Sequence, residues 1–464
     1  MKLEVSSGSS RKMRQLPNSP PWASTAHGAG DRGGPHRWGD AWLGERAALY
    51  LVFQRGLTRE TFQTQVGQCT LWTQSIMAGD ASKDKPHAPP RSVALSQPCV
   101  GDDEWQALRG PLESGWLTQG PKVAAFEEAF AARHRVAHAV ATTSGTTALH
   151  LALAALGLGP GDEVIVPAFT WVASANAVVY VGATPILVDV DPRSYNLDME
   201  AVRAAITERT RAVIAVHLFG LCADMEALRD ALPERVMIVE DAACAAGAAW
   251  HGEPAGSLGT VGCFSFHPRK SITTGEGGMV TSNDSALAER VRSLRNHGAV
   301  TATSAAVGPA TMPDIDSLGF NYRMTDLQGA IGLVQLEKLD GFIDERARWA
   351  RWYVDQLADI QWLTTPAVSN GYRHAWQAFV TVVDESAAPV KRDDLMERLA
   401  SRGIATRPGT HALCELSYYR ENFGVQRSRY PVAARLHRQS MAIPLHNRMC
   451  EADFQYVVDN LRAV

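Results

Sequence analysis

Lys270 is the residue in this sequence whose surroundings point most directly to covalent chemistry. It lies in the stretch FSFHPRKSITTGEGG at positions 264–278, between an apolar, strand-like run and a glycine-rich turn. A lysine amine held in a crevice can form a Schiff base with an aldehyde, whereas the same residue beside an open loop would be an ordinary surface lysine. The other polar groups that the fold brings to the same place distinguish these two interpretations.

Asp241 and the segment Thr143–Thr147 are polar groups that follow predicted strands. Asp241 ends the apolar strand VMIVED, and open α/β sheets bind ligands at the carboxyl ends of their parallel strands. Thr143–Thr147 lies between a strand and a helix predicted at 148–156, where backbone amides and hydroxyl groups form a site for a phosphate. Each feature also has a simpler interpretation, because Asp and Thr cap helices in such positions.

Ser265 is predicted to face the same edge of the sheet. A strand at 262–267 places Cys263, Ser265 and His267 on one face and two phenylalanines on the other, since side chains alternate along a strand. Lys270 then follows after a proline turn. Cys263 and His267 would supply only two metal ligands with no third nearby, so we predict no metal site.

A phosphate site, a carboxylate, a serine and a lysine on successive edges of one sheet form the set that pyridoxal phosphate requires. Its aldehyde needs an amine, its phosphate an anion site, and its ring nitrogen a carboxylate that keeps the pyridinium charged. Trp171, which follows the strand VIVPAF, would stack on the face of the ring. The sequence therefore predicts that Lys270 binds pyridoxal phosphate.

The elements that must position these residues alternate between strands and helices, beginning with an amphipathic helix at 122–134. Short strands that are apolar on both faces, separated by helices, predict an α/β fold with a mostly parallel sheet covered on both sides. A long helix that begins at Thr325 or Asp326 leads away from this sheet. We predict a large α/β domain at 91–345 and a smaller C-terminal α+β domain at 346–464.

Composition and charge exclude several classes of protein. The chain has 464 residues, 45% of them apolar and 20% charged, and a net charge of −4. This balance fits a globular protein with a sizeable core and gives no electrostatic basis for binding nucleic acid or an anionic membrane. Seven scattered cysteines without a CxxC spacing favour reduced thiols. No apolar run is long enough to span a bilayer, and we expect a cytoplasmic protein.

The first 90 residues differ from the remainder of the chain. They contain segments rich in Pro, Gly and Ser, without a sustained helical or strand period. We predict a disordered N-terminal extension over 1–90. Two other interpretations stay open: an interaction or targeting arm, and a start codon assigned too early, with Met77 as the true one.

Five motifs give the chain a recognisable resemblance. They are SGWLTQGPKV, SGTTALHLAL, VEDAAC, FSFHPRKSITTGEGGMV and NYRMTDLQGAIGLVQLEKL. With these motifs the chain resembles the DegT/DnrJ/EryC1/StrS family of pyridoxal-phosphate-dependent sugar aminotransferases over about residues 92–464. The resemblance implies the fold-type I, aspartate-aminotransferase-like architecture and a homodimer that builds its active sites at the subunit interface.

The resemblance also implies a role for each residue that matches a family motif. Lys270 would be the Schiff-base lysine, Asp241 the partner of the pyridine nitrogen, and Trp171 the residue stacked on the ring. Cys244 stands where many members have Gln or His near the ring hydroxyl, and a thiol is a poorer hydrogen-bond partner. The phosphate would be held by Gly145, Thr146, Thr147 and Ser265, and by Asn321 from the neighbouring subunit. Thr118, Arg407 and His411 are candidates for contacts with the substrate.

The activity implied is transfer of an amino group from glutamate or glutamine to a keto-sugar. The acceptor would be a nucleotide-linked 4-keto-6-deoxyhexose or a 3-keto hexose, as used in polysaccharide or antibiotic biosynthesis. Family dehydratases have a histidine in place of the lysine, so Lys270 favours amino transfer over sugar deoxygenation. Other pyridoxal-phosphate chemistry on a keto-sugar or keto-cyclitol, and a non-catalytic cofactor-binding regulator, are the alternatives.

Overall fold

The computed structural model describes residues 91–300 and 312–464, and the predictions made for residues 1–90 lie outside this part of the chain. The strands are β1 His138–Thr142, β2 Glu163–Pro167, β3 Thr184–Val188, β4 Thr210–Val216, β5 Met237–Asp241, β6 Ala249–Trp250, β7 Glu253–Pro254, β8 Val261–Ser265, β9 Gly278–Ser282, β10 Leu363–Thr364, β11 Tyr372–Arg373, β12 Phe379–Val383, β13 Arg407–Pro408 and β14 Ser440–Ile443.

The helices alternate with these strands. They are α1 Asp102–Ala107, α2 Arg109–Ser114, α3 Pro121–Arg133, α4 Gly145–Ala155, α5 Ala173–Tyr180, α6 Met199–Ala205, α7 Met225–Ala231, α8 Ser285–Arg295, α9 Asp326–Leu357, α10 Arg392–Ser401, α11 Ser417–Phe423, α12 Pro431–Gln439 and α13 Glu451–Arg462. Short 3₁₀ turns are formed by Leu218–Gly220, Leu413–Glu415 and Arg427–Arg429.

The main sheet has the strand order β1-β9-β8-β5-β4-β2-β3. Strands β3, β2, β4, β5 and β8 pair in parallel, whereas β9 is antiparallel to both β8 and β1. The predicted mostly parallel α/β sheet is therefore confirmed. Because β1 runs in the same direction as β8, the carboxyl ends of β1, β2, β4, β5 and β8 lie at one edge of the sheet.

The sheet separates two apolar cores, and neighbouring residues of each strand contribute to opposite ones. On β2, Val164 packs into the core that contains α4, α5 and α8, while Ile165 packs into the core that contains α3, α6, α7 and α9. On β4, Ile214 packs into the first of these cores and Val213 into the second. Each such side chain contributes about 1.5–3 kcal/mol through burial, so the sheet edge that carries the polar residues rests on a rigid, two-sided scaffold.

Helix α9 connects the main sheet to a second sheet with the order β10-β12-β14-β13. Thr325 caps the helix: its Oγ1 accepts a hydrogen bond from Gln328 N at 3.3 Å. Helix α9 runs without interruption through position 346, so the domain boundary placed there stays a prediction. Among the described helices, none combines the length and the apolar character that crossing a membrane requires.

Candidate active site

A cavity of about 490 Å³ opens at the edge of the main sheet where the carboxyl ends of the parallel strands meet. Its wall also includes residues of β13 and of the loop that follows it. The cavity brings together most of the residues that the sequence singled out. These are Gly145, Thr146, Trp171, Asp241, Cys244, Ser265, Lys270 and Arg407.

The start of helix α4 forms one end of the cavity. Ser144 Oγ accepts a hydrogen bond from Thr147 N at 3.2 Å, and Thr147 Oγ1 accepts one from Ser144 N at 2.9 Å. Thr147 thus closes a capping box and does not line the cavity, whereas Gly145 and Thr146 do. The amides of these two residues belong to the first helical turn, which has no carbonyl partners within the helix.

Gly145 lets β8 approach this helix start. A Cβ atom at position 145 would lie 2.8 Å from Ser265 Cβ, a separation that real Cβ atoms do not tolerate. The absence of a side chain therefore brings the Ser265 hydroxyl and the free amides of the first turn to the same place. Amide and hydroxyl donors at a helix N-terminus fit a phosphate group, so the residues present suit the phosphate of pyridoxal phosphate.

Asp241 is buried at the end of β5, with its carboxylate oriented by two hydrogen bonds. Its Oδ2 accepts from Ser174 Oγ at 2.7 Å and its Oδ1 from Ala243 N at 3.2 Å. Thr170 Oγ1 lies 3.0 Å from Ser174 Oγ and fixes that hydroxyl in turn. The carboxylate that faces the cavity is thus fixed at the end of β5 by a hydrogen bond from the first turn of α5.

Glu240, the preceding residue, holds the end of β5 from the opposite face. Ala223 N donates to His217 Nδ1 at 3.1 Å, so His217 carries its proton on Nε2 and donates it to Glu240 Oε2 at 2.9 Å. The Glu240 carboxylate also accepts three backbone amides at 2.6–2.7 Å, from Gly256, Leu258 and Gly259. These contacts leave Asp241 as the carboxylate of the pair that faces the cavity.

Lys270 lies in the connection between β8 and β9, and its side chain reaches the cavity. Its backbone N donates to His267 O at 2.8 Å, and its Nζ lies 3.3 Å from Cys244 Sγ. The glycines that follow allow this connection to pack tightly: a Cβ at Gly278 would lie 2.3 Å from Ser144 O. The glycine-rich turn therefore fixes the lysine loop against the start of the phosphate cradle.

Trp171 stands at the cavity entrance with 51% of its surface exposed. Its ring lies 5.3 Å from the ring of His411, centroid to centroid. The backbone of the two segments is also joined, because Thr170 N donates to His411 O at 3.1 Å. His411 thus supports Trp171 without lining the cavity itself.

Asn321 and Thr118 lie outside the cavity of their own chain, and both are exposed. The rings of Phe320 and Tyr322 stack at 5.1 Å, and Tyr322 OH lies 3.2 Å from His150 Nδ1. In an extended segment the residue between two such side chains points the other way, so Asn321 faces outward. Thr118 O accepts a hydrogen bond from Asp326 N at 3.2 Å, which places both segments beside the start of α9.

Within the described residues, no group of three or more His, Cys, Asp or Glu side chains has the arrangement of a metal site. Cys263 lies in an apolar core, where burial raises the pKa of its thiol. His267, its predicted neighbour on the strand face, lines the cavity instead. Strand β8 contains Cys263 but ends at Ser265, two residues before the predicted end, so His267 lies outside it.

A family model for the DegT/DnrJ/EryC1/StrS aminotransferases matches residues 98–462 of this sequence. The chain belongs to this family. It is 39% identical over 375 residues to GDP-perosamine synthase from Caulobacter vibrioides, with 80% of this chain and 98% of the relative covered. It is 38% identical over 376 residues to the spore coat polysaccharide biosynthesis protein SpsC from Bacillus subtilis, with 80% and 97% covered.

Solved structures show the same fold. The protein Spr1654 from Streptococcus pneumoniae superposes with a TM-score of 0.75 at 28% sequence identity, covering 80% of this chain and 98% of that chain. Spr1654 has been solved in a pyridoxal-phosphate form and in a pyridoxamine-phosphate form. The fold-type I architecture expected from the motifs is therefore confirmed.

Several residues of this aminotransferase site were not identified from the sequence. Ser174 could have been found from its position in the first turn of the helix that follows β2, where a hydroxyl would face the sheet edge. Arg269 could have been found as the neighbour of Lys270. Gln377, which lines the cavity and donates from Nε2 to Arg269 O at 2.7 Å, carries no local signal.

Proposed function

We propose that this protein is a pyridoxal-phosphate-dependent aminotransferase that moves an amino group from glutamate or glutamine to a nucleotide-linked keto-sugar. The observation that carries the proposal is the cavity itself. The β8–β9 connection contributes a lysine, β5 a fixed carboxylate, and the start of α4 a phosphate cradle. An amine, a carboxylate and an anion site are the three groups that pyridoxal phosphate requires.

Each of these residues has a distinct task toward the cofactor. Bound pyridoxal phosphate supplies an aldehyde that joins amines and a ring that accepts an electron pair. Lys270 Nζ would hold the aldehyde carbon, and its amine, once released by the donor, would move the proton from the α-carbon of the donor to the former aldehyde carbon. Asp241 would hold a proton on the ring nitrogen. Gly145, Thr146 and Ser265 would hold the phosphate, and the Trp171 ring would cover one side of the entrance.

The nature of the acceptor is supported by the relatives. One is named GDP-perosamine synthase, and the other is named for spore coat polysaccharide biosynthesis. We infer a nucleotide-linked 4-keto-6-deoxyhexose as the first acceptor to test, with a 3-keto hexose as the second. We also propose that the protein acts in the cytoplasm.

Transfer of labelled nitrogen tests this proposal. We expect purified enzyme, supplied with glutamate labelled at the α-nitrogen and a panel of nucleotide-linked keto-sugars, to yield an amino-sugar whose mass contains the label. Lys270 and Asp241 are both required for that outcome. Isomerised or dehydrated sugar without label would instead indicate the other class of pyridoxal-phosphate chemistry, and binding of the cofactor without any product would indicate a regulator.

We further propose that two copies of the chain share their active sites. Asn321 is exposed and turned away from the cavity of its own chain, although the family motif that contains it points to a phosphate contact. Large apolar side chains are exposed near it in sequence, with Leu318 at 90% and Met312 at 87% of their surface. Trp105, Leu112 and Trp116 are also exposed on and after α1 and α2. A second copy of the chain would remove such side chains from water, which favours association.

Hybrid dimers test whether Asn321 acts in the neighbouring subunit. We expect the homodimers of Lys270→Ala and Asn321→Ala to be impaired, since one lacks the amine and the other a phosphate contact. A purified heterodimer of the two variants would contain one site with both defects and one intact site, because each site takes Lys270 from one subunit and Asn321 from the other. Heterodimer activity no higher than that of the Asn321→Ala homodimer would show that Asn321 acts within its own chain.

A further inference from the structure

Arg269 and Arg407 are two guanidinium groups that line the cavity without a protein partner. Arg269 directly precedes Lys270 in the turn, and Arg407 begins β13 in the second sheet. Among the residues that the structure describes, neither side chain has a hydrogen bond or an ion pair. They also share the wall of a small adjoining recess, so the two groups lie on the same side of the cavity.

The two positive charges influence one another. Arg407 is partly buried, and burial, followed by the charge of Arg269, lowers the pKa of its guanidinium. Two like charges held together without a counter-ion raise the free energy of the empty site. An anion bound between them would relieve this repulsion and accept hydrogen bonds from both guanidinium groups.

Arg269 is exposed and Arg407 half-buried at the cavity wall, whereas two buried arginines elsewhere in the described part of the chain have partners. Arg346 donates to Asn447 Oδ1 at 2.7 Å, and Arg392 donates to Ser440 O at 2.6 Å. The backbone of Arg269 is fixed as well, by Gln377 on its carbonyl and by His267 Nδ1 on its amide at 3.2 Å. Within the described part of the chain, Arg269 and Arg407 are the two arginines that line this cavity, and neither side chain has a hydrogen-bond or ion-pair partner.

We propose that Arg269 and Arg407 together bind a carboxylate of the amino-acid donor. This inference rests on the proposed function. The donor carries its carboxylate directly on the α-carbon from which Lys270 takes the proton, and Arg269 is the adjacent residue, with its Cα about 3.8 Å from that of Lys270. The diphosphate of a sugar nucleotide, by contrast, is separated from the reacting carbon by the hexose ring, so it would bind farther from the lysine.

The test separates the two half-reactions in the holoenzyme. In the first, the pyridoxal form is mixed rapidly with glutamate, and its absorbance change gives an apparent dissociation constant for the donor. We expect Arg269→Gln and Arg407→Gln each to raise this constant about 10–100-fold, because each variant removes charge-assisted hydrogen bonds. Arg269→Lys and Arg407→Lys, which keep the charge but lose the paired N–H donors of the guanidinium, would recover part of the affinity.

The acceptor and the cofactor provide the internal controls. The KM for the nucleotide-linked sugar and the retention of pyridoxal phosphate would change by less than about twofold. Arg398, an exposed arginine on α10 away from the cavity, provides the matched control, and Arg398→Gln should leave all three constants unchanged. A variant that raised only the KM of the sugar would assign the pair to the diphosphate, and one that lost the cofactor would assign it to the phosphate; either result would overturn the proposal.

Binding of glutarate, a dicarboxylate without an amine, keeps this result separate from that of the proposed function. Calorimetry should detect glutarate binding to the wild-type holoenzyme and a weakening of about 10-fold or more in each glutamine variant. If wild-type enzyme failed to react with glutamate or glutamine, the proposed function would be wrong, whereas glutarate would still report on the arginine pair. If the wild type and the double variant, Arg269→Gln with Arg407→Gln, bound glutarate equally well, the arginine pair would not be a carboxylate site.

Discussion

Replacing Lys270 by alanine is expected to abolish amino transfer while leaving the protein folded. The variant lacks the amine that is proposed to bind the aldehyde and carry the proton, so we expect the rate to fall by at least about 10³-fold. The fold should persist, because among the described residues Lys270 makes one side-chain hydrogen bond, to Cys244 Sγ at 3.3 Å; its loss is expected to change the free energy of unfolding by less than about 1 kcal/mol. Thermal melting and the labelled-nitrogen assay measure the two quantities.

Reduction with borohydride gives a second readout for the same residue. In the wild-type protein, reduction followed by peptide mapping should place the mass of the cofactor on the peptide that contains Lys270. Lys270→Ala should retain cofactor through the phosphate cradle, yet show no such adduct. Lys391→Ala, which removes an exposed lysine before α10, should behave as the wild type does. An adduct on another lysine would contradict the assignment.

The scaffold of the site could be predicted from the sequence because local pattern and position in the sheet coincide there. The helix predicted at 122–134 is Pro121–Arg133, and the apolar strand that ends in Asp241 is Met237–Asp241. The carboxyl end of such an apolar run lies at the edge where parallel α/β sheets bind ligands, so a polar residue there is a candidate for the site. That is why Asp241 and Ser265 could be assigned to the cavity before the fold was known.

Contacts between distant segments could not be predicted in this way. Nothing in the local pattern around Arg407 indicates that it shares a cavity with Arg269, because the two meet only when the second sheet packs beside the first. Thr147 illustrates a different limit. Its hydroxyl type suited both phosphate binding and helix capping, and the structure gives it a capping hydrogen bond. Residue type alone does not determine which of two partners a hydroxyl group selects.

Replacing Asp241 by asparagine should impair chemistry more than stability. Asparagine retains one oxygen that can accept the hydrogen bond from Ser174 or from Ala243, but it removes the charge that, in the proposed function, holds a proton on the ring nitrogen. We expect proton removal from the α-carbon of the donor to slow by about 10²–10⁴-fold, the range found when a fixed charge or dipole is removed from a site. Exchange of the α-hydrogen of glutamate in deuterated water measures this step without any acceptor sugar.

Glu240→Gln is the matched control, since it neutralises the adjacent carboxylate on the opposite face of β5. Glu240 is fully buried and accepts hydrogen bonds from His217 and three backbone amides. A glutamine amide facing these donors leaves buried polar groups unpaired, so we expect a loss of about 2–4 kcal/mol in the free energy of unfolding. If α-hydrogen exchange proved as fast in Asp241→Asn as in the wild type, Asp241 would not be the partner of the ring nitrogen. We therefore expect Asp241→Asn mainly to slow the exchange and Glu240→Gln mainly to lower the stability. In this proposal Asp241 acts on the cofactor, and Glu240 fixes the strand that presents it.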